Sequence, residues 1–122
     1  MPSRPTRGKL RSLASSSAFE AFVLDQLEDV GDLTSKKMFG GVGLYCRGLF
    51  FGIIARDELY LKVDDRNRSD YERAGMRPFK PYRDRPGTMR YYKVPLDVLE
   101  SAPELGRWAR KAIGVARGGP RS

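Results

Sequence analysis

Histidine is missing from this 122-residue chain altogether, and Cys46 is its single cysteine. One cysteine excludes an internal disulfide framework. With no histidine beside it, the usual zinc ligand sets cannot be assembled within the chain. The serine–histidine and cysteine–histidine nucleophile pairs fall on the same ground, so no metal, cofactor or catalytic set is expected. No apolar run approaches the roughly twenty residues a membrane span needs. The basic N-terminus is followed by no apolar segment of the secretory type. A cytoplasmic, reducing address is the expectation.

The remaining composition, 40% hydrophobic and 31% charged, is that of an ordinary globular chain of one domain. The net charge of +8 is unevenly spread. Arg4, Arg7, Lys9 and Arg11 occur among the first fourteen residues without an acid, and Arg117 and Arg121 close the chain. Between them, residues 15–113 hold 17 bases and 15 acids. Residues 1–16 mix Pro, Ser, Arg and Gly with no sustained period and read as a disordered basic arm. Such an arm can grip phosphate backbones without reading sequence, or simply aid solubility. Residues 117–122 read as a disordered tail.

The organising stretch is Met38 to Tyr45, MFGGVGLY. Gly40 and Gly41 suit a sharp entry into a meander, and Gly43 a crowded spot within its first full strand. A phosphate-cradling loop is the rival reading. It needs a Gly-Lys-Ser/Thr ending or a third glycine opening a helix, and Cys46 stands where that glycine should be. The structural reading is preferred.

Around this stretch the periods alternate. Ser17 and Glu20 have capping-box spacing, and Phe19, Phe22, Val23, Leu27 and Val30 then recur at helical steps, with Gly31 as the stop. The other face carries Glu20, Asp25, Glu28 and Asp29. Thr34 to Phe39 is a short basic edge strand, Val42 to Arg47 alternates, and Leu49 to Ile54 is apolar on both faces as a central strand should be. Arg47-Gly48 and Arg56-Asp57 are the turns. Leu59, Leu61 and Val63 face one way, Tyr60 and Lys62 the other. A short helix capped by Asp64 or Asp65 runs to Ala74 and Gly75. An extended Pro- and Arg-rich segment leads to a strand at Met89 to Val94. Leu96 to Leu99 forms a brief helical turn. Ser101 and Glu104 then cap a final helix with an inner stripe of Leu105, Trp108, Ala109 and Ala112. The sum is an α+β fold: an antiparallel meander with an N-terminal helix, a short central helix and a C-terminal helix.

The most charged part is Arg66 to Lys93. It holds Arg66, Arg68, Arg73, Arg77, Lys80, Arg83, Arg85, Arg90 and Lys93 against Asp70, Glu72 and Asp84, with Phe79, Tyr82, Tyr91 and Tyr92 interleaved. Bases and aromatics together grip single-stranded nucleic acid, and Arg77, Lys80, Arg83, Arg85 and Arg90 are candidate contacts beside the arm. The plainer alternative is a solvated loop whose aromatics plug the sheet, its charge neutralised by the acidic first helix. Asp57-Glu58 and Asp64-Asp65 are adjacent carboxylates that turns and caps explain. Cys46 falls on the core face as a small hydrophobe.

The motifs MFGGVGLY, FFGIIARDELYLKVDDRN, YERAG, PFKPY, MRYYKVP and LGRWARKA together resemble the N-terminal domain of the TfoX/Sxy family, bacterial proteins linked to natural competence. The resemblance covers about residues 17–116. It implies a fold like that of secretion chaperones and a non-enzymatic role in regulating DNA-uptake genes, and it supplies no catalytic residues. Longer members carry a second domain of helix-hairpin-helix character, for which these 122 residues show no counterpart. The expected partner is an unidentified protein, with nucleic acid as a second contact and a homodimer through an exposed sheet edge as a further option.

Overall fold

The computed structural model describes residues 15–79 and 90–118. Between Leu33 and Lys62 the chain doubles back three times through two-residue turns. Both residues of each turn have positive φ: Phe39 (50°) and Gly40 (86°), Arg47 (51°) and Gly48 (82°), Arg56 (51°) and Asp57 (60°). Turns of this hand match the right-handed twist of the strands they join. They connect β1 (Leu33–Met38), β2 (Gly41–Cys46), β3 (Leu49–Ala55) and β4 (Glu58–Lys62). β5 (Tyr91–Lys93) pairs antiparallel with β4, giving a five-stranded meander in chain order. The fold is therefore α+β, and both the glycine-rich entry and the doubly apolar central strand are observed.

One irregularity lies in β3. Leu44 pairs with Gly52 and Tyr45 with Phe50, leaving Phe51 as an extra residue. The bulge sends Phe51 into the same core as Ile54, while Phe50, Ile53 and Ala55 belong to the opposite face. Both faces of β3 are thereby buried, which is why the strand lacks the alternation of its neighbours.

Helix α1 (Ser17–Gln26) begins one residue earlier than the spacing predicts. Its N-cap is Ser16, whose Oγ accepts from the Phe19 N–H at 3.1 Å. Ser17 loses the role because Ser16 is already held in the extended backbone a cap needs: its own N–H donates to Asp57. Val23 and Leu27 are fully buried and Phe19 packs partly against them, but Phe22 is turned outward and exposed. A 3₁₀ turn (Glu28–Val30) then leads to Gly31 at φ 82°.

Helix α2 (Arg68–Arg73) corrects a second cap. Neither Asp64 nor Asp65 is its N-cap; that position is Asn67, whose side chain works outside the helix. Asn67 Oδ1 accepts from the Asp64 N–H and its Nδ2 donates to the Lys62 carbonyl. Only 1% exposed, Asn67 ties the exit of β4 to the start of α2, and a buried amide must find such partners. At the other end Gly75 donates to Glu72 O and Met76 to Tyr71 O, the paired closure that glycine favours there.

After α3 (Leu96–Leu99), the long α4 (Ala102–Gly118) crosses β3 and β4. Ser101 Oγ caps it at the Glu104 N–H. Leu105, Ala109 and Ala112 are buried as the stripe requires, joined by Ile113 and Val115, and Trp108 is half-buried. Each large apolar side chain removed from water contributes about 1.5–3 kcal/mol. The helix continues through Arg117 and Gly118, two residues past the boundary at 116. Among the described residues no helix is long and apolar enough to cross a membrane.

Candidate functional site

The glycine-rich entry carries a turn and a tight contact. Phe39 and Gly40 form the turn itself, and Gly41 opens β2 opposite Met38. A Cβ on Gly43 would lie 3.0 Å from Met38 Cε and 3.1 Å from Phe50 Cε1, so the space beside it is taken by side chains.

Of the candidate nucleic-acid contacts, Arg4, Arg7, Lys9, Arg11, Lys80, Arg83 and Arg85 lie outside the described residues. Arg77 and Arg90 are described, and both are exposed. Backbone pairing sets them at opposite ends of one ribbon. The Arg77 carbonyl accepts from the Lys93 N–H, while Arg90 precedes Tyr91 at the far end and its carbonyl accepts from the Val63 N–H. The neighbouring bases are engaged locally: Arg66 with Asp64, Arg68 with Asp65, Arg73 with Asp70 and Lys93 with Glu58. Among the described residues, no ion pair joins the acidic face of α1 to this segment. Glu20 of α1 approaches Lys37 of β1 at 4.0 Å instead. The adjacent acids also point apart: Asp57 sits in a turn, and Asp64 and Asp65 take different arginines.

The face of the sheet away from α4 carries the aromatics. Tyr45 stacks on Phe50 at 5.1 Å, Phe50 meets Tyr91 at 5.5 Å, and Tyr60 meets Phe79 at 4.5 Å. Lys36 stands 5.4 Å over Tyr45 and Lys62 5.9 Å over Tyr91. Where this face meets residues 75–78 there is an open cleft of about 270 Å³, lined by Tyr60, Gly75, Met76, Arg77, Pro78 and Lys93. Period two puts Glu58 and Tyr60 on one face of β4, and register brings Lys93 opposite Tyr60. The Tyr60 hydroxyl donates to Glu58 Oε1 at 2.5 Å and Lys93 Nζ donates to Oε2 at 2.9 Å. Sequence reading misses this trio, since only the Glu58–Tyr60 spacing is legible and Lys93 arrives by register.

The electrostatics of the trio run away from acid–base work. Burial pushes the Glu58 carboxyl up, but hydrogen bonds from Tyr60 and Lys93, with the charges of Lys93 and Arg56, bring it below its ordinary value. Burial, then the bond to Glu58 and its charge, raise the Tyr60 phenol well above its usual range. A proton-transfer pair works best with a pKa near the operating pH, and here one group stays ionised and the other stays protonated. Among the described residues no group of three His, Cys, Asp or Glu could hold a metal. Cys46 is buried in the core, its thiol directed at the Gly31 carbonyl at 3.7 Å.

Comparison with known families matches residues 25–116 to the TfoX N-terminal domain. The chain belongs to that family. The match covers the end of α1, the whole meander and α4 as far as Ala116, so the TfoX N-terminal domain takes in nearly every described element. Comparison with curated proteins finds no match.

Proposed function

We propose that this TfoX N-terminal domain is a non-enzymatic binding module that contributes to the regulation of DNA-uptake genes through a protein partner in the cytoplasm. One observation carries the reading. Beside the cleft Tyr60, Glu58 and Lys93 bond to one another as a trio, with the Glu58 carboxyl held below its ordinary pKa and the Tyr60 phenol above its own. Membership of the family supports the regulatory half of the proposal. The test is cross-linking of the full chain in the cells that express it, with reciprocal capture, alongside transcript levels of DNA-uptake genes after deletion. One reciprocally captured protein and altered transcripts are expected. No specific partner together with unchanged transcripts overturns the reading.

A second reading, weak nucleic-acid binding, rests on Arg77 and Arg90, for which the described residues provide no acidic partner. Contacts to phosphate weaken steeply with salt. Anisotropy titrations with single- and double-stranded oligonucleotides at two salt concentrations decide it: salt-sensitive binding lost in the Arg77→Ala/Arg90→Ala variant supports it, and no binding at low salt removes it.

A further inference from the structure

β1 ends the sheet, and its pairing with β2 runs without a bulge from Leu33↔Cys46 to Met38↔Gly41. The turn determines which backbone groups that pairing uses. A two-residue hairpin closes on a hydrogen-bonded pair, here Met38 and Gly41, and such pairs alternate along an antiparallel ladder. Lys36 and Thr34 therefore bond to β2 as well. The Arg47 N–H donating to the Asp32 carbonyl at 3.1 Å continues the same phase. Leu33, Ser35 and Lys37 are left with N–H and C=O groups directed away from β2, and none of these six groups has a partner among the described residues. The other side of the sheet is less open: beyond β5, Pro78 bridges Tyr92 and the Phe79 N–H donates to Tyr91 O.

An unpaired edge of this length is a template for another strand. The side chains along it narrow the choice. Lys36 and Lys37 project to opposite faces of β1, the Lys37 side chain is 76% exposed, and its acidic neighbour Glu20 is 4.0 Å away. Directly beyond the strand, Phe39 is 79% exposed although it sits in a turn at positive φ, where an aromatic residue has no conformational advantage. A second copy added β1 to β1 about a two-fold axis would crowd four lysines into one ribbon between chains of net charge +8, and like charges across a ladder are destabilising. An acidic strand reverses that term.

We propose that the open edge of β1 receives an extended, acidic segment of a partner protein as an added strand. Carboxylates would face Lys36 and Lys37 and an apolar side chain would rest on Phe39. This rests on the binding-module reading and names its surface and the chemistry of its partner. Backbone pairing supplies affinity in such complexes and the side chains supply selectivity.

The test uses the full chain with two synthetic probes, a Glu–Val peptide built on Val-Glu-Glu-Val so that one carboxylate lies on each face, and its Lys–Val counterpart, followed by backbone amide NMR. The Glu–Val peptide is expected to bind, to shift the amides of Leu33 to Lys37 and to slow hydrogen exchange at Ser35 and Lys37. Ser35→Pro removes an N–H that points outward, so the β1–β2 ladder survives and affinity falls about tenfold or more. The pair Lys36→Glu/Lys37→Glu, which alters no backbone group, is expected to transfer the preference to the Lys–Val peptide. No binding of the Glu–Val peptide, binding that leaves Leu33 to Lys37 unshifted, equal binding of both peptides, or a dimer by light scattering that Ser35→Pro dissolves would each overturn the proposal. A protein captured in cells by the wild type and equally by both variants overturns the edge site while leaving the binding-module reading in place.

Discussion

Across 41 residues of sequence, the backbone N–H of Ser16 donates to Asp57 Oδ1 at 2.8 Å, and the Asp57 N–H donates in return to Ser15 Oγ at 2.9 Å. The start of α1 is thereby fastened to the β3–β4 turn. The same contact selects the helix cap, because it holds Ser16 extended with its hydroxyl free to accept from Phe19. Ser16→Ala is expected to cost about 1 kcal/mol of unfolding free energy. Ser17→Ala, on the first turn and exposed, should change it by less than about 0.5 kcal/mol. Urea denaturation of the two variants checks the ordering, and equal losses would place the cap elsewhere.

Gly52 has no room for a methyl group. A Cβ there would stand 3.2 Å from the Tyr60 carbonyl oxygen, with Leu61 Cδ2 at 3.1 Å and Leu44 Cδ1 at 3.3 Å. The leucines can shift, whereas the oxygen belongs to the β3–β4 ladder and cannot. Gly52→Ala should therefore destabilise by about 1–3 kcal/mol, the usual range for overpacking. Equilibrium unfolding in urea provides the measurement.

Tyr71 is buried between Trp108, edge-on at 4.7 Å, and Tyr92 at 5.6 Å, and its hydroxyl has no hydrogen-bond partner among the described residues. Its ring packs the core while its oxygen is desolvated without return. Tyr71→Phe is expected to leave stability unchanged or raise it by up to about 1 kcal/mol, while Tyr71→Ala should cost about 3–5 kcal/mol. Thermal melts of both variants test the split, and a clear loss in Tyr71→Phe would reveal a partner for the hydroxyl.

Burial, with a smaller contribution from Tyr45, pushes the Tyr91 phenol from its ordinary 10.0 up to about 12. An unfolded chain ionises this group first, so the stability it lends is complete below about pH 10 and is lost as the pH rises to about 12. Tyr60 is displaced in the same direction and extends the loss to higher pH. Glu58 acts with the opposite sign, its contribution being present above pH 4.5 and lost as the pH falls through its lowered value. Unfolding free energies in alkali should decline more gently in Tyr91→Phe than in the wild type. Parallel curves would remove the assignment.

Local patterns carried much of the fold. Period-two alternation in Leu59, Leu61 and Val63, the doubly apolar run from Leu49, the Arg47-Gly48 and Arg56-Asp57 turns and the Ser101–Glu104 cap each report on a few consecutive residues and appear as read, while the entry turn falls at Phe39-Gly40, one residue before the expected Gly40-Gly41. What failed was of a different kind. Ser16 displaced Ser17 because of a turn 41 residues away, and Asn67 is buried because two backbone groups of neighbouring elements converge on it. The candidate site divides likewise: Glu58 and Tyr60 are two apart on a strand and visible together, but Lys93 joins them only when β5 pairs with β4.

By itself the sequence determined that these 122 residues hold no histidine and no internal disulfide, and also the meander, its flanking helices and the family pattern, since residue identity and short-range period encode them. Tertiary structure alone decided which arginines of the 66–93 segment are paired, which cap is used, and that six backbone groups of β1, beside two lysines, have no partner among the described residues. Those outcomes depend on the register and packing of segments distant in the chain, and a linear pattern holds no record of either.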